Sequence, residues 1–234
     1  RQKFGGYLKL VVFNPIERYD FWEKITGARI NFSRGFLLNE KATEEEKSHI
    51  RSFLAKQVKY QGRKRLIMKF TGPARLEYLT SIFPDAIIVS ITREPIATVR
   101  SWLEIGFWQR LGINRLWWIG AYTPEEEAEA EKLKGNAPLI TAFQYRKLME
   151  TTSYEIEKLG LDVLQTRYED FVKDPVSFIK NVMEFMELPS SKFVDRYMDE
   201  MVVSNRNTRS GATKKSAFSD EVKQQILDIV GEYA

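Results

Sequence analysis

The sequence contains no cysteine and a single histidine among its 234 residues. The absence of cysteine excludes disulfides, thiolate catalysis and thiolate metal sites, and it is compatible with a reducing compartment, so we expect a cytoplasmic protein. One histidine argues against a histidine-based metal site, and we expect no metal. No apolar run approaches ~18 residues, so no transmembrane helix is predicted. Nothing at the start is typical of a signal peptide.

The sequence also lacks a large excess of either charge, because 36 lysines and arginines nearly balance 32 acidic residues. The net charge of +4 favours an anionic ligand but is too small to indicate nucleic acid, and no nucleic-acid partner is expected. A hydrophobic content of 43% with 13% aromatics is typical of a globular protein. The length suits one domain, residues 1–234.

Residues 65–108 have the pattern strand, helix, strand, helix. Residues 65–70 and 85–91 are short apolar runs, the second almost continuous, as expected for a parallel strand covered on both faces. Pro73 and Pro95 can each open a helix, since proline's missing N–H is not needed in a first turn. Residues 161–167 are a further predicted strand. The sequence therefore predicts an α/β fold with a central parallel β-sheet flanked by helices.

Arg93 and Ser101 form the first candidate site. Arg93 lies at the carboxyl end of a predicted strand, where open α/β sheets bind ligands, and beside a helix amino terminus whose free N–H groups favour an anion. Ser101 lies two turns into that helix, on a face that Arg93 could share. A guanidinium, N–H groups and a hydroxyl together describe a phosphate site. The alternative is a surface arginine beside a buried small residue.

Two blocks carry a resemblance to a known family. FPDAIIVSITREPIATVRSWL looks like the 3′-phosphate-binding segment of the sulfotransferases that use 3′-phosphoadenosine-5′-phosphosulfate (PAPS), and TRYEDFVKDPVSFIKNVMEFMELP at 166–189 resembles a later segment of that family. The likeness is nearest to the bacterial and tyrosylprotein-type sulfotransferases. It implies a P-loop-NTPase-like fold, PAPS as sulfuryl donor and 3′,5′-adenosine bisphosphate as product.

The resemblance also implies roles for single residues. Arg93 and Ser101 would hold the 3′-phosphate, and Tyr168 would stack on the adenine or hydrogen-bond near it; otherwise Tyr168 is a boundary tyrosine at a helix start. Lys69 would approach the oxygen that bridges sulfate and 5′-phosphate, where charge builds as the S–O bond breaks. The alternative for Lys69 is a lysine that snorkels at a strand end.

The general base is less clearly marked. Glu17 in ERYDFW looks similar to a base glutamate of several sulfotransferases, although a carboxylate in a first helical turn is also favoured by the dipole alone. The family's histidine follows the strand that here ends at Phe70-Thr71, where this chain has threonine. His49 lies instead on a predicted helix that Thr43 opens, and we expect it to be solvated.

A late basic stretch and a missing loop complete the resemblance. Arg206, Arg209, Ser210 and Gly211 occupy the place of the family's loop that touches the 3′-phosphate, but the family's RKG spelling is absent. A solvated tail is the plain alternative. The family's glycine-rich phosphosulfate loop is not found in this sequence, and we expect the native protein to carry it upstream of Arg1.

The expected function is therefore transfer of a sulfuryl group from PAPS to a hydroxyl or amine of a small-molecule or carrier-bound acceptor. The alternatives are a non-catalytic nucleotide- or protein-binding relative and a small-molecule kinase, whose phosphate loop and Mg²⁺-binding acid are not visible. Four of the five tryptophans lie within residues 102–118. They indicate packing over the sheet with some lining of an acceptor cleft.

Overall fold

The computed structural model describes residues 19–189, 191–200 and 218–234, and most of these residues are helical. Its α-helices, in chain order, are α1 (Tyr19–Ile25), α2 (Glu44–Tyr60), α3 (Leu76–Ile82), α4 (Pro95–Leu103), α5 (Pro124–Lys132), α6 (Ala137–Leu159), α7 (Tyr168–Lys173), α8 (Pro175–Phe185), α9 (Lys192–Glu200) and α10 (Asp220–Val230). A π-helical turn covers Trp108–Gly112, and a 3₁₀ turn covers Gly231–Tyr233.

Two strands, β1 (Ile88–Thr92) and β2 (Val163–Arg167), form a parallel pair. Ile88 lies opposite Val163, and the register continues to Thr92 opposite Arg167. The chain between them contains α4, α5 and α6, as a parallel pair requires a long crossover. The predicted α/β class and the predicted parallel arrangement of these two strands are confirmed.

Two details of the predicted sheet are wrong for the part of the chain that the structure describes. Residues 65–70 form no strand there, and residues 65–69 are exposed, with Ile67 78% accessible. An apolar run becomes a strand only when a neighbouring backbone pairs with it. Ile91 is 59% exposed, so β1 is not covered on both faces by described residues.

Helix boundaries agree with capping signals in the sequence, because capping depends on residues within one turn. Thr43 and Glu46 form the reciprocal capping box at the start of α2. Asp174 accepts a hydrogen bond from the Ser177 N–H at the start of α8. Gly160 ends α6 with φ of 59°, in the left-handed region where glycine is favoured.

Among the residues that the structure describes, the core contains three apolar clusters. One, around Trp22, Phe32 and Tyr78, packs α1, α2 and α3 together. A second joins α4, α6 and α10, and the third contains the buried Trp108 and Trp118, which confirms that these two tryptophans pack in the core. The 23-residue helix α6 contributes to the second and third clusters and therefore links them.

Within the described ranges, no helix is both long and apolar enough to cross a membrane.

Candidate functional site

Arg93 and Tyr168 meet where the two parallel strands end. Arg93 follows the last residue of β1, and Tyr168 follows the last residue of β2. Because Thr92 and Arg167 are paired in register, the next residues emerge side by side. The guanidinium carbon of Arg93 lies 4.9 Å from the centroid of the Tyr168 ring, within cation–π range. The structure therefore brings together two of the residues that the sequence marks for cofactor binding.

The backbone of Arg93 is held by a tyrosine of another helix. The Tyr145 hydroxyl of α6 donates to the Arg93 carbonyl at 3.1 Å, whereas the Thr98 hydroxyl of α4 donates to the neighbouring Glu94 carbonyl at 2.9 Å. Burial raises the pKa of Tyr145, so its hydroxyl keeps the proton that it donates. The sequence alone does not mark Tyr145 as a site residue. No local signal could have revealed its contact with Arg93, because 52 residues separate them.

The amino terminus of α4 is occupied by a carboxylate of the chain itself. Glu94 accepts hydrogen bonds from the N–H groups of Ile96 at 2.8 Å and Ala97 at 2.6 Å. The expectation of free N–H groups for a bound anion is therefore wrong at these two positions. An acidic residue directly before an N1 proline was the available sequence signal for this cap. These two N–H groups are therefore not available to an anion, and the Arg93 side chain is the candidate group at this edge.

Ser101 lies one helical turn beyond Thr98 on α4. Residues three apart share a helix face, and the Thr98 hydroxyl on that face donates to the Glu94 carbonyl. Ser101 is partly exposed. That Arg93 and Ser101 share a face and together bind a phosphate stays a prediction.

Lys69 lies in the exposed segment before α3, close to two fixed points. The Thr71 N–H donates to the Tyr19 hydroxyl at 3.1 Å, and that hydroxyl donates to the Thr71 carbonyl at 2.9 Å. Gly72 packs so closely on Trp118 that an added Cβ would lie 2.8 Å from the indole nitrogen. The two residues after Phe70 are therefore anchored to α1 on one side and to the tryptophan cluster on the other.

Of the remaining residues considered from the sequence, His49 lies in the described structure and the others do not. His49 is exposed on α2, as expected for a solvated helix residue. The base and late-loop predictions lie outside the described residues: Glu17, Arg206, Arg209, Ser210 and Gly211. Among the described residues, no group of three or more histidine, aspartate or glutamate side chains could hold a metal ion. The independence from metals stays a prediction.

A cation stacked on an aromatic ring at the carboxyl ends of parallel strands is a candidate site for a nucleotide phosphate. The family model described as the sulfotransferase family matches residues 17–192, about three quarters of the chain. This chain belongs to the sulfotransferase family, which confirms the resemblance at that level. Separate comparisons with curated proteins and with solved structures give no match.

Proposed function

We propose that this chain transfers a sulfuryl group from PAPS to a hydroxyl or amine of an acceptor, with 3′,5′-adenosine bisphosphate as the second product. The observation that carries the proposal is the Arg93 guanidinium on the Tyr168 ring, at the ends of two parallel strands in a member of the sulfotransferase family. The donor set fits a nucleotide, because a guanidinium and a hydroxyl suit a phosphate and an aromatic ring suits a base.

In this proposal Arg93 and Ser101 bind the 3′-phosphate, and Tyr168 lies against the adenine. Stacking on Tyr168 and the hydrogen bond from Tyr145 to the Arg93 carbonyl limit the positions that Arg93 can take. Less side-chain entropy is then lost when a phosphate binds. Arg206, Arg209, Ser210 and Gly211 would close over the same phosphate.

In PAPS the sulfuryl group is bonded to the 5′-phosphate, and this phosphate is the leaving group. Glu17 takes the proton of the acceptor hydroxyl as the new S–O bond forms and the S–O bond to the 5′-phosphate breaks. Lys69 stabilises the negative charge that the departing phosphate oxygen gains. No metal ion is needed in this scheme, because lysine and arginine supply the positive charge.

We further propose that residues 1–234 form one domain in which β1 and β2 belong to a central parallel sheet flanked by helices, with the P-loop-NTPase-like sulfotransferase fold. A small-molecule or carrier-bound acceptor, the absence of a nucleic-acid partner and a cytoplasmic location remain predictions. The nearest relatives are expected among the bacterial or tyrosylprotein-type enzymes.

A thermal-shift experiment with 3′,5′-adenosine bisphosphate, beside ATP, tests the nucleotide site. A ligand at about a hundred times its Kd adds about 2.7 kcal/mol to stability, which is several degrees for a domain of this size. We expect this shift in the wild type and in Arg100→Ala, but not in Arg93→Ala. Equal shifts in all three proteins, or no shift, would contradict the assignment. Binding without sulfuryl transfer would favour the non-catalytic alternative.

A further inference from the structure

Two arginines lie close to one tryptophan ring at a surface that the proposed nucleotide site does not use. The guanidinium carbon of Arg34 lies 5.1 Å, and that of Arg115 6.0 Å, from the centroid of the Trp117 ring. The ring of Phe107, 42% exposed, packs on Trp117 with centroids 5.4 Å apart. We call Arg34, Phe107, Arg115 and Trp117 the Trp117 platform.

The platform is held in place from the interior. The side chain of Gln144 in α6 is fully buried. It accepts a hydrogen bond from the backbone N–H of Trp117 at 2.6 Å and donates one to the Gly112 carbonyl at 2.9 Å. The Arg34 Nε donates to the Trp117 carbonyl at 2.7 Å. The loop that carries Arg115 and Trp117 is therefore fixed at both ends, which lowers the entropy cost of ordering it around a ligand.

The positive charge of the platform is not balanced by the residues that the structure describes. Arg34 bonds backbone carbonyls of Leu116 and Trp117, and neither Arg34 nor Arg115 forms an ion pair with a carboxylate in those ranges. Burial, and secondarily the nearby charge of Arg115, lower the pKa of Arg34. Two guanidiniums without a counterion repel each other, so a bound anion would be stabilising.

We propose that the Trp117 platform binds the carboxylate of the acceptor, and hence that the acceptor is a small hydroxylated acid with a flat apolar body. The exposed Arg115 offers the guanidinium fork that matches a carboxylate, and Arg34, whose Nε and Nη2 donate to backbone carbonyls, adds positive charge beside it. The Phe107 and Trp117 rings offer an apolar surface next to these charges. This inference rests on the proposed sulfuryl transfer, since it names the class of acceptor.

The loop that carries the platform is packed against the segment that follows Lys69. Trp117 is followed by Trp118, whose indole contacts Gly72, and Gly72 lies three residues after Lys69. Trp118 therefore connects the loop that carries the platform to the segment that carries the proposed leaving-group cation.

The test is calorimetric titration at low salt with two probes, 4-hydroxyphenylacetate and its neutral amide 4-hydroxyphenylacetamide. We expect the acid to bind about tenfold more tightly than the amide, because a guanidinium forms a stronger hydrogen bond with an ionised carboxylate than with a neutral amide. Arg115→Gln should remove that preference and leave the amide unchanged. Arg110→Gln is the matched control, since Arg110 is exposed in the same segment and is not stacked on Trp117.

The inference is overturned if acid and amide bind equally, if neither binds, or if Arg115→Gln keeps the preference. It is also overturned if 3′,5′-adenosine bisphosphate displaces the acid, since the arginines would then serve the nucleotide. The thermal shift with the bisphosphate is measured separately in the same variants. Acid binding without that shift would reject the nucleotide site alone, and the shift without acid binding would reject the platform alone.

Discussion

Glu155 is a carboxylate buried in the fold rather than in the candidate site. It is 1% exposed on α6, and its Oε1 accepts a hydrogen bond from the Glu77 N–H at 2.9 Å, in the first turn of α3. Arg75, at the N-cap of α3, provides no side-chain cap, so Glu155 replaces it from another helix. Burial raises the pKa of Glu155 above its ordinary 4.5, against the opposing effect of the backbone hydrogen bonds.

Substitution of Glu155 should change the pH dependence of unfolding. A carboxyl whose pKa is raised on folding binds its proton more tightly in the native state, so its contribution to stability falls as pH rises from 4.5 through the folded pKa. Urea unfolding should therefore show a steeper loss above pH 4.5 for the wild type than for Glu155→Gln. Parallel profiles would contradict this assignment.

Glu155→Ala separates the cap from the charge. It removes the acceptor as well as the carboxyl, and should cost about 0.5–2 kcal/mol of unfolding free energy relative to Glu155→Gln, as loss of a helix cap does. Urea unfolding at one fixed pH measures the difference. Equal stabilities of the two variants would mean that the contact with the Glu77 N–H is not a cap.

At the scale of elements, Gly72 fixes the segment that carries Lys69. Its φ is 76°, and an added Cβ would meet the Trp118 indole. Gly72→Ala should lower the free energy of unfolding by about 1–3 kcal/mol, because the left-handed backbone and the contact both oppose the methyl group. Gly62→Ala is the matched control, since Gly62 has φ of 61° with nothing near its Cβ position. Equal losses in urea unfolding would show that the Trp118 contact contributes nothing.

Elements that depend on nearby residues were predictable from the sequence, and those that depend on a distant partner were not. The capping box of Thr43 and the cap at Asp174 follow from side chains within one turn. The strand predicted for residues 65–70 is absent from the described structure, because apolar composition cannot supply a pairing backbone. The burial predicted for both faces of β1 failed at Ile91 for a related reason. An apolar residue is buried only if another element packs over it, and the strand's own sequence does not show whether one does.

The same division applies to the candidate site. The rule that ligands bind at the carboxyl ends of parallel strands indicated Arg93, and the resemblance to the sulfotransferases indicated Tyr168. Their stacking required the register of β1 with β2, and the support from Tyr145 required the packing of α6, neither of which a single sequence contains.

At the scale of the whole molecule, α10 supports the site from outside the part that matches the family model. Ile226 and Val230 of α10 are buried against Val99 of α4 and Tyr145 of α6, and Tyr145 holds the Arg93 carbonyl. The family match ends at residue 192, before α10 begins. The C-terminal helix therefore completes the core behind Arg93.

Ile226→Ala tests that support. Truncation of a fully buried isoleucine leaves a cavity and should cost about 2–5 kcal/mol in urea unfolding. Gln224→Ala, exposed on the same helix, should change stability by no more than about 0.5 kcal/mol. Similar small losses in both variants would show that α10 does not stabilise the core.

The most direct test of the central claim compares binding of 3′,5′-adenosine bisphosphate and adenosine 5′-monophosphate to the wild type and to Arg93→Ala. The two ligands differ only in the 3′-phosphate assigned to Arg93, and a hydrogen bond to a charged group is worth about 1.5–3 kcal/mol. Calorimetry should show the bisphosphate weakened by about tenfold or more in Arg93→Ala, with the monophosphate unchanged. Equal weakening of both ligands, or none, would contradict the account.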